Sequence, residues 1–388
     1  MSLLDGLGSF FQGPLNWVTG KPSSPGSPPT ESLPQRIADS LELAHQHVEL
    51  GLSDLVDRVR STKPPQGPFP SMASLQAKFP EAGLPDRMVG TTIDNQLLNQ
   101  PGTDPDQLMA KVAAMGFNTV RLGAYWDEMQ AKGPGETDFS KLQALLDAAE
   151  RHHVRVVLTV GAKGPNWPEF HVPKWAEPPA GRHPSNDATF RGRSEAFVRA
   201  VAEHFKDHPA IAMWQVENEP FDPSGPKQRD LSTSMVSDEI QILRQADGHR
   251  RPVMINCWSD GDRKGQIDHA FALADLVGLD VYRNTGGAGP LGSEARTTAI
   301  PAYALELAKK TGKPAVIAEL QADDWGRYRA NGQDVTDLTH HLERMGYENV
   351  LFWRLDQNVA DEKKGDDGLT RTETRLAEEL RNGRSNRD

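Results

Sequence analysis

The chain has 388 residues, 37% of them hydrophobic and 25% charged, with a formal net charge of −11 and a pI near 5.6. Such an acidic chain lacks the basic stripe that displaces counterions from a phosphate backbone, which excludes a nucleic-acid surface. A single cysteine, Cys257, excludes an intramolecular disulfide and a thiolate metal cluster.

The first 80 residues read as an N-terminal extension, partly linker and partly helix. Met1 to Val18 has no Lys or Arg, carries Asp5 and is broken by glycines, so it does not read as a secretory signal. The corresponding expectation is a cytoplasmic protein, with export by another route left open. No stretch approaches the ~20 uninterrupted apolar residues of a membrane span. Gly20 to Pro29 is a Ser/Pro/Gly linker that buries too little apolar surface to order itself. Ile37, Leu41, Ala44, Val48, Leu52, Leu55 and Val59 recur at helical spacing, so 34–60 reads as a helix. It either packs on the main domain or docks a partner or a second copy. Ser61 to Pro80, rich in proline, reads as a loop.

From about residue 86 short apolar runs alternate with amphipathic ones, eight times. The pattern predicts strands at 88–94, 118–123, 154–160, 210–217, 252–257, 275–282, 313–319 and 349–355. Helices are expected between them at about 104–115, 138–153, 190–207, 229–246, 265–274, 293–312 and 334–345, with a last one at 372–382. Asp104-Pro105 and Asp138-Phe139-Ser140 place a capping acceptor before the periodic run. Eight such units favour a (β/α)8 TIM barrel over residues 81–388, an α/β fold. An open doubly wound sheet is the alternative, but no Gly-rich phosphate loop follows the first strand.

Two predicted strands run into carboxylates: Met213 to Pro220 contains Glu219, and Pro314 to Glu319 ends in Glu319. In a barrel the C-terminal ends of the strands build the active site, so these glutamates are the candidate catalytic pair. Two carboxyl groups over one site, one protonated and one ionised, are the equipment for breaking a glycosidic bond. Strict alternation puts Glu217 on the same face as Glu219 and makes it a rival acid, unless the chain twists after Val216.

Asn218-Glu219-Pro220, with a glutamate ending the seventh strand, resembles the clan A retaining glycoside hydrolases, the superfamily that includes cellulase-like family 5. The resemblance spans roughly residues 86–380. It implies that Glu219 is the acid/base, Glu319 the nucleophile and Asn218 the partner of the sugar 2-hydroxyl. Arg121, in Gly116 to Leu122, is similar to the clan's second-strand arginine that steadies the nucleophile. Tyr282 resembles the sixth-strand tyrosine that hydrogen-bonds it, and Trp353 the eighth-strand tryptophan under the sugar. The chain departs from the cellulase-like pattern at two places: Thr159 to Lys163 holds no histidine, and Asp280 stands where a histidine would be.

The long segment from Gly161 to Asp187 contains Trp167, Phe170, His171 and Trp175, and loops of that length are usually functional. Trp126, Trp167, Trp175, Trp258, Trp325 and Trp353 all fall at or beyond predicted strand ends, and at least three of them are expected to be sugar platforms. Trp167, Trp258, Trp325 and Trp353 are counted with Asn218, Arg121 and Tyr282 as substrate-binding residues. No metal or cofactor is expected: Asp361, Asp366 and Asp367 lack calcium-loop spacing, and His152-His153 and His340-His341 are adjacent rather than four apart. The expected partner is an oligo- or polysaccharide. A transglycosylase using the same intermediate and a non-catalytic carbohydrate-binding barrel are the competing readings.

Overall fold

The computed structural model describes residues 69–99, 103–259, 263–282, 294–322, 332–354 and 368–382. The helix expected over 34–60, Trp325 and the Asp361, Asp366 and Asp367 loop lie outside the described residues. Eight parallel strands close into a barrel in sequence order: β1 (Val89–Thr92), β2 (Thr119–Gly123), β3 (Arg155–Val160), β4 (Ile211–Val216), β5 (Val253–Trp258), β6 (Leu276–Val281), β7 (Ala315–Gln321) and β8 (Val350–Trp353). Between them lie the helices Pro105–Ala114, Ser140–Arg151, Ala188–Phe205, Thr233–Asp247, Lys264–Leu273, Glu294–Thr311 and Gly332–Met345, and Gly368–Asn382 follows β8.

The strands are buried throughout apart from Arg155 and Ala315 at the strand starts and Trp258 at the end of β5, which are half-buried. That is the pattern for a sheet covered on both faces. Helix starts are fixed by side-chain acceptors: Asp104 takes the Asp106 N–H at 2.9 Å and Asp187 the Phe190 N–H at 2.7 Å. Thr233–Asp247 is closed at its other end by Gly248 in the left-handed conformation, φ 68°.

Three findings differ from the sequence reading. The stretch expected as a loop over 61–80 contains a helix, Met72–Lys78. Its Met72 and Leu75, with Phe79, Leu84 and Met88 beyond it, pack on Val157, Met213, Met254, Leu276, Val316 and Leu351 from the strands. β7 runs two residues past Glu319, with breaks in register against both β6 and β8. Trp126–Met129 forms one helical turn beyond β2.

Candidate active site

Side chains alternate along each strand, and the barrel interior is layered accordingly. Val157, Met213, Met254, Leu276 and Leu351 fill the end nearest the strand starts. Two residues further along come Arg121, Gln215 and Asn256, and above these Asp280, Tyr282 and Glu319. The interior therefore changes from apolar to polar along the barrel axis.

Arg121 is the hub of the polar layer and is fully buried. Its Nε donates to Gln215 Oε1 at 2.7 Å, Nη1 to Glu319 Oε1 at 2.5 Å and to Thr92 Oγ1 at 3.5 Å, and Nη2 to Asn218 Oδ1 at 2.5 Å. A planar fork suits this work because it serves several acceptors in fixed directions. Tyr282 donates its hydroxyl to the other oxygen of Glu319, Oε2, at 2.7 Å, and its ring stacks on Trp258 at 4.9 Å. Asn256 donates from Nδ2 to Asn218 Oδ1 at 2.9 Å and to Asp280 Oδ2 at 2.6 Å, while its Oδ1 accepts from Gln215 Nε2 at 2.7 Å and from the Glu219 N–H at 3.0 Å. Two donors converge on Asn218 Oδ1, which orients that amide and leaves Nδ2 as its donor toward a ligand.

The backbone beyond β4 explains which side chains reach the mouth. Glu217 has φ 59° and Glu219 φ 43°, left-handed values that interrupt the alternation. Glu217 turns away from the mouth: its carboxylate accepts the N–H groups of Ala162 and Lys163 and its charge acts on Glu239 of helix Thr233–Asp247. Gly161, at φ 125°, makes room for it, since a Cβ there would overlap the Glu217 carboxyl group. Burial raises Glu217 to about 7, although the two backbone donors oppose the shift. Burial and the Glu217 charge push Glu239 well above the usual range. Lys163 holds the segment that follows: its buried ammonium donates to Glu219 O and Asp222 O, both at 2.7 Å, and to Ser224 Oγ at 2.9 Å.

Glu219, Asp280 and Glu319 each place a carboxylate oxygen within 4.8 Å of the others, all three groups buried. Burial raises Glu219 well above the carboxylate range, and the charges of Asp280 and Glu319 add to the effect. Asp280 is likewise raised well above it, first by burial and then by Glu319. Glu319 is raised by burial, but Arg121 and Tyr282 oppose the shift. The carboxyl group with two donors is the one equipped to stay ionised.

Residues 90–277 match the family model described as cellulase, glycosyl hydrolase family 5. Over that segment, just under half of the chain, the sequence is similar to glycosyl hydrolase family 5. A curated β-galactosidase from Arthrobacter sp is 33% identical over 117 residues, 27% of this chain and 17% of that protein. The chain thus spans under a fifth of the length of that relative. Among solved structures, a GH5_18 protein from Streptomyces cattleya in complex with GlcNAc aligns with TM-score 0.60 and 19% identity, covering 78% of this chain and 81% of that one. The endo-β-1,4-mannanase from Thermotoga petrophila aligns with TM-score 0.61 and 13% identity, covering 79% and 80%. A β-galactosidase from the psychrophilic Marinomonas ef1 gives TM-score 0.56 and 16% identity over 76% of this chain and 59% of that one. At these identities the structural likeness carries the fold alone. The family 5 match stops within β6, so Asp280, Tyr282 and Glu319 lie beyond it.

From within and beyond the matched segment the structure brings Arg121, Asn218, Glu219, Tyr282 and Glu319 into one cluster. Trp258 joins it through its stack on Tyr282. Trp353 ends β8 beside Gln321 and is 9% exposed. Trp167 is 67% exposed, the one large hydrophobic side chain so open among the described residues. Trp126 is not a platform: it is fully buried, stacked on Phe197 at 5.4 Å and edge-on to Trp175. Trp175 is held from behind by its Nε1 bond to Gln130 O at 2.7 Å.

Gln215, Asn256 and Lys163 are structural members of the cluster that motif reading passes over. Their signal was present all the same. A polar side chain in the middle of a buried strand is costly unless paired, and Gln215 and Asn256 interrupt otherwise apolar runs on the inward-facing register.

Proposed function

We propose that the protein is a retaining O-glycoside hydrolase that cleaves β-glycosidic bonds by double displacement through a covalent glycosyl-enzyme intermediate. The observation that carries this reading is the pair Glu219 and Glu319 at the C-terminal mouth of the barrel, their oxygens within 4.8 Å. Retaining enzymes hold their two carboxyl groups about 5–5.5 Å apart, whereas inverting ones leave room for a water between them at roughly 6.5–9.5 Å.

In the first step Glu319 attacks the anomeric carbon while Glu219 gives its proton to the departing oxygen. Arg121 and Tyr282 keep Glu319 charged and aimed, each holding one oxygen and leaving further lone pairs for attack. The Nδ2 of Asn218 is placed to bond a hydroxyl of the sugar. Forming the glycosyl ester removes the Glu319 charge, one of the causes that raise Glu219. Glu219 then ionises more readily and can take the proton of the water that releases the sugar, so one residue serves as acid and then as base. Trp353 and Trp258 line the site as stacking faces, and the exposed Trp167 supplies one further out. The curated relative described as a β-galactosidase supports a β-linked substrate.

The test is hydrolysis of a panel of aryl β-glycosides and short β-linked oligosaccharides by wild type, Glu219→Gln and Glu319→Gln. Loss of turnover in Glu319→Gln, with Glu219→Gln retaining only substrates with good leaving groups, assigns the two roles. NMR of the first-formed anomer must show retention, and an inverted product overturns the mechanism. Binding of a sugar without turnover of any substrate would favour the carbohydrate-binding reading.

A further inference from the structure

The mechanism leaves one buried titratable group unused. Asp280 sits between β5 and β7, paired in register with Trp258 on one side and with Glu319 on the other, and is 1% exposed. Its Oδ2 accepts from Asn256 at 2.6 Å. Its Oδ1 is buried with no donor, and so is Oε1 of Glu219. Two buried acceptors without donors would each carry an uncompensated desolvation penalty. The two carboxyl groups lie within 4.8 Å of each other, and a bond between two carboxyl groups requires that one of them carry a proton.

We infer that Asp280 is a positioning residue for Glu219: the resting site holds one proton between the two carboxyl groups, and Asp280 keeps the acid loaded until the departing oxygen takes it. The inference rests on the glycosidase reading for its catalytic consequence and on the geometry alone for the shared proton. Charge is conserved through the step. Before it, the Glu219–Asp280 pair carries one negative charge and Glu319 another. When the C–O bond breaks, the proton leaves with the alcohol, the pair gains a charge and Glu319 loses its own by forming the ester bond. The buried trio keeps the same total, so the low-dielectric site is never asked to hold a third carboxylate charge.

The surrounding charges are consistent with that arrangement. Among the described residues, Glu319 faces the pair from β7, Arg121 from β2, and Lys163 and Glu169 from the segment after β3, while Asp222, after β4, acts on Lys163. Cys257 lies beside Asp280 on β5, and Tyr282 is bonded to Glu319. Lys163 spends its donors on two backbone carbonyls and Ser224, and Arg121 spends its own on Thr92, Gln215, Asn218 and Glu319. Neither is directed at the pair. A cation bridging all three carboxylates would compete with Arg121 and Tyr282, which already hold both oxygens of Glu319. A proton needs only Glu219 and Asp280.

The test is infrared pH titration of buried carboxylic acids in the full chain, comparing wild type, Asp280→Asn and Glu219→Gln. Removing either partner should lower the midpoint of the other by one unit or more, a tenfold change in its ionisation constant. The Glu217–Glu239 pair serves as an internal reference that neither substitution moves. If both midpoints stay in place, the shared proton is refuted, and each variant reads the pair from its own side should the other fail to fold. A second arm compares an alkyl β-glycoside with a 2,4-dinitrophenyl β-glycoside, whose leaving group needs no proton. In Asp280→Asn the alkyl substrate should lose at least tenfold more kcat/KM than the dinitrophenyl one at neutral pH. Equal losses would reduce Asp280 to a packing role. Absence of all turnover in wild type would count against the glycosidase reading, while the infrared arm still decides the proton.

Discussion

Arg121→Met tests the polar hub directly. The substitution keeps the apolar stem and removes a fork that makes four buried hydrogen bonds. Asn218 Oδ1 keeps its bond from Asn256, and Glu319 keeps the one from Tyr282, so the main loss is the buried ion pair with Glu319. Breaking such a pair from one side costs about 3–5 kcal/mol because the surviving charge is stranded. For a domain of this size that corresponds to a drop in Tm of roughly 6–20 °C. The pH dependence has a definite sign. Without Arg121 the folded-state pKa of Glu319, already raised by burial, rises further above its unfolded value. The stability of the neutral form is then fully present below the unfolded pKa and lost as pH rises through the folded one. Denaturant unfolding should therefore show a small deficit at pH 5 and a larger one at pH 8. Adding Glu319→Gln to Arg121→Met should recover about 2–3 kcal/mol at pH 8, as a neutral amide strands no charge. A deficit equal at both pH values, unrelieved by the second substitution, would refute the stranded-charge argument.

Two further outcomes are expected. Gly161→Ala places a methyl group against the Glu217 carboxyl at a φ of 125° and should cost about 2–5 kcal/mol from strain and overlap together; a urea midpoint equal to wild type would show that Glu217 can move aside. Glu239→Gln removes the buried carboxyl coupled by charge to Glu217, whose pKa is raised to about 7. In the wild type the stability contributed by that raised group is present below its unfolded value and lost as pH climbs through about 7. The variant's stability should fall less between pH 5 and 8, by on the order of 1–3 kcal/mol, and parallel curves would count against that coupling.

The barrel was readable because each strand is an apolar run bounded by caps and turns, so the observed strand starts and helix starts lie within a few residues of the periodicity. Glu219, Asn218 and Glu319 stood out because a charged or polar side chain at a strand end is conspicuous. Gln215 and Asn256 did not, because each gains its meaning from a partner on another strand, and no local pattern encodes that register. The direction of Glu217 depended on two left-handed backbone values that no residue type announces. Trp126 shows the opposite failure: a tryptophan after a strand looks like a sugar platform until Phe197 and Trp175 are found closing over it. The helix Met72–Lys78 was hidden by its neighbours, since the prolines around it suggested a loop while Met72 and Leu75 carried the spacing.

That helix has a practical consequence. Its apolar face closes the end of the barrel opposite the carboxylates, covering Met213, Met254, Leu276 and Leu351, and Lys78 pairs with Asp275 at 2.5 Å. A truncation begun at the first strand would look harmless on a sequence diagram, yet it would leave a greasy socket open to water and to other chains. The smallest piece expected to remain monodisperse must therefore start upstream of Met72.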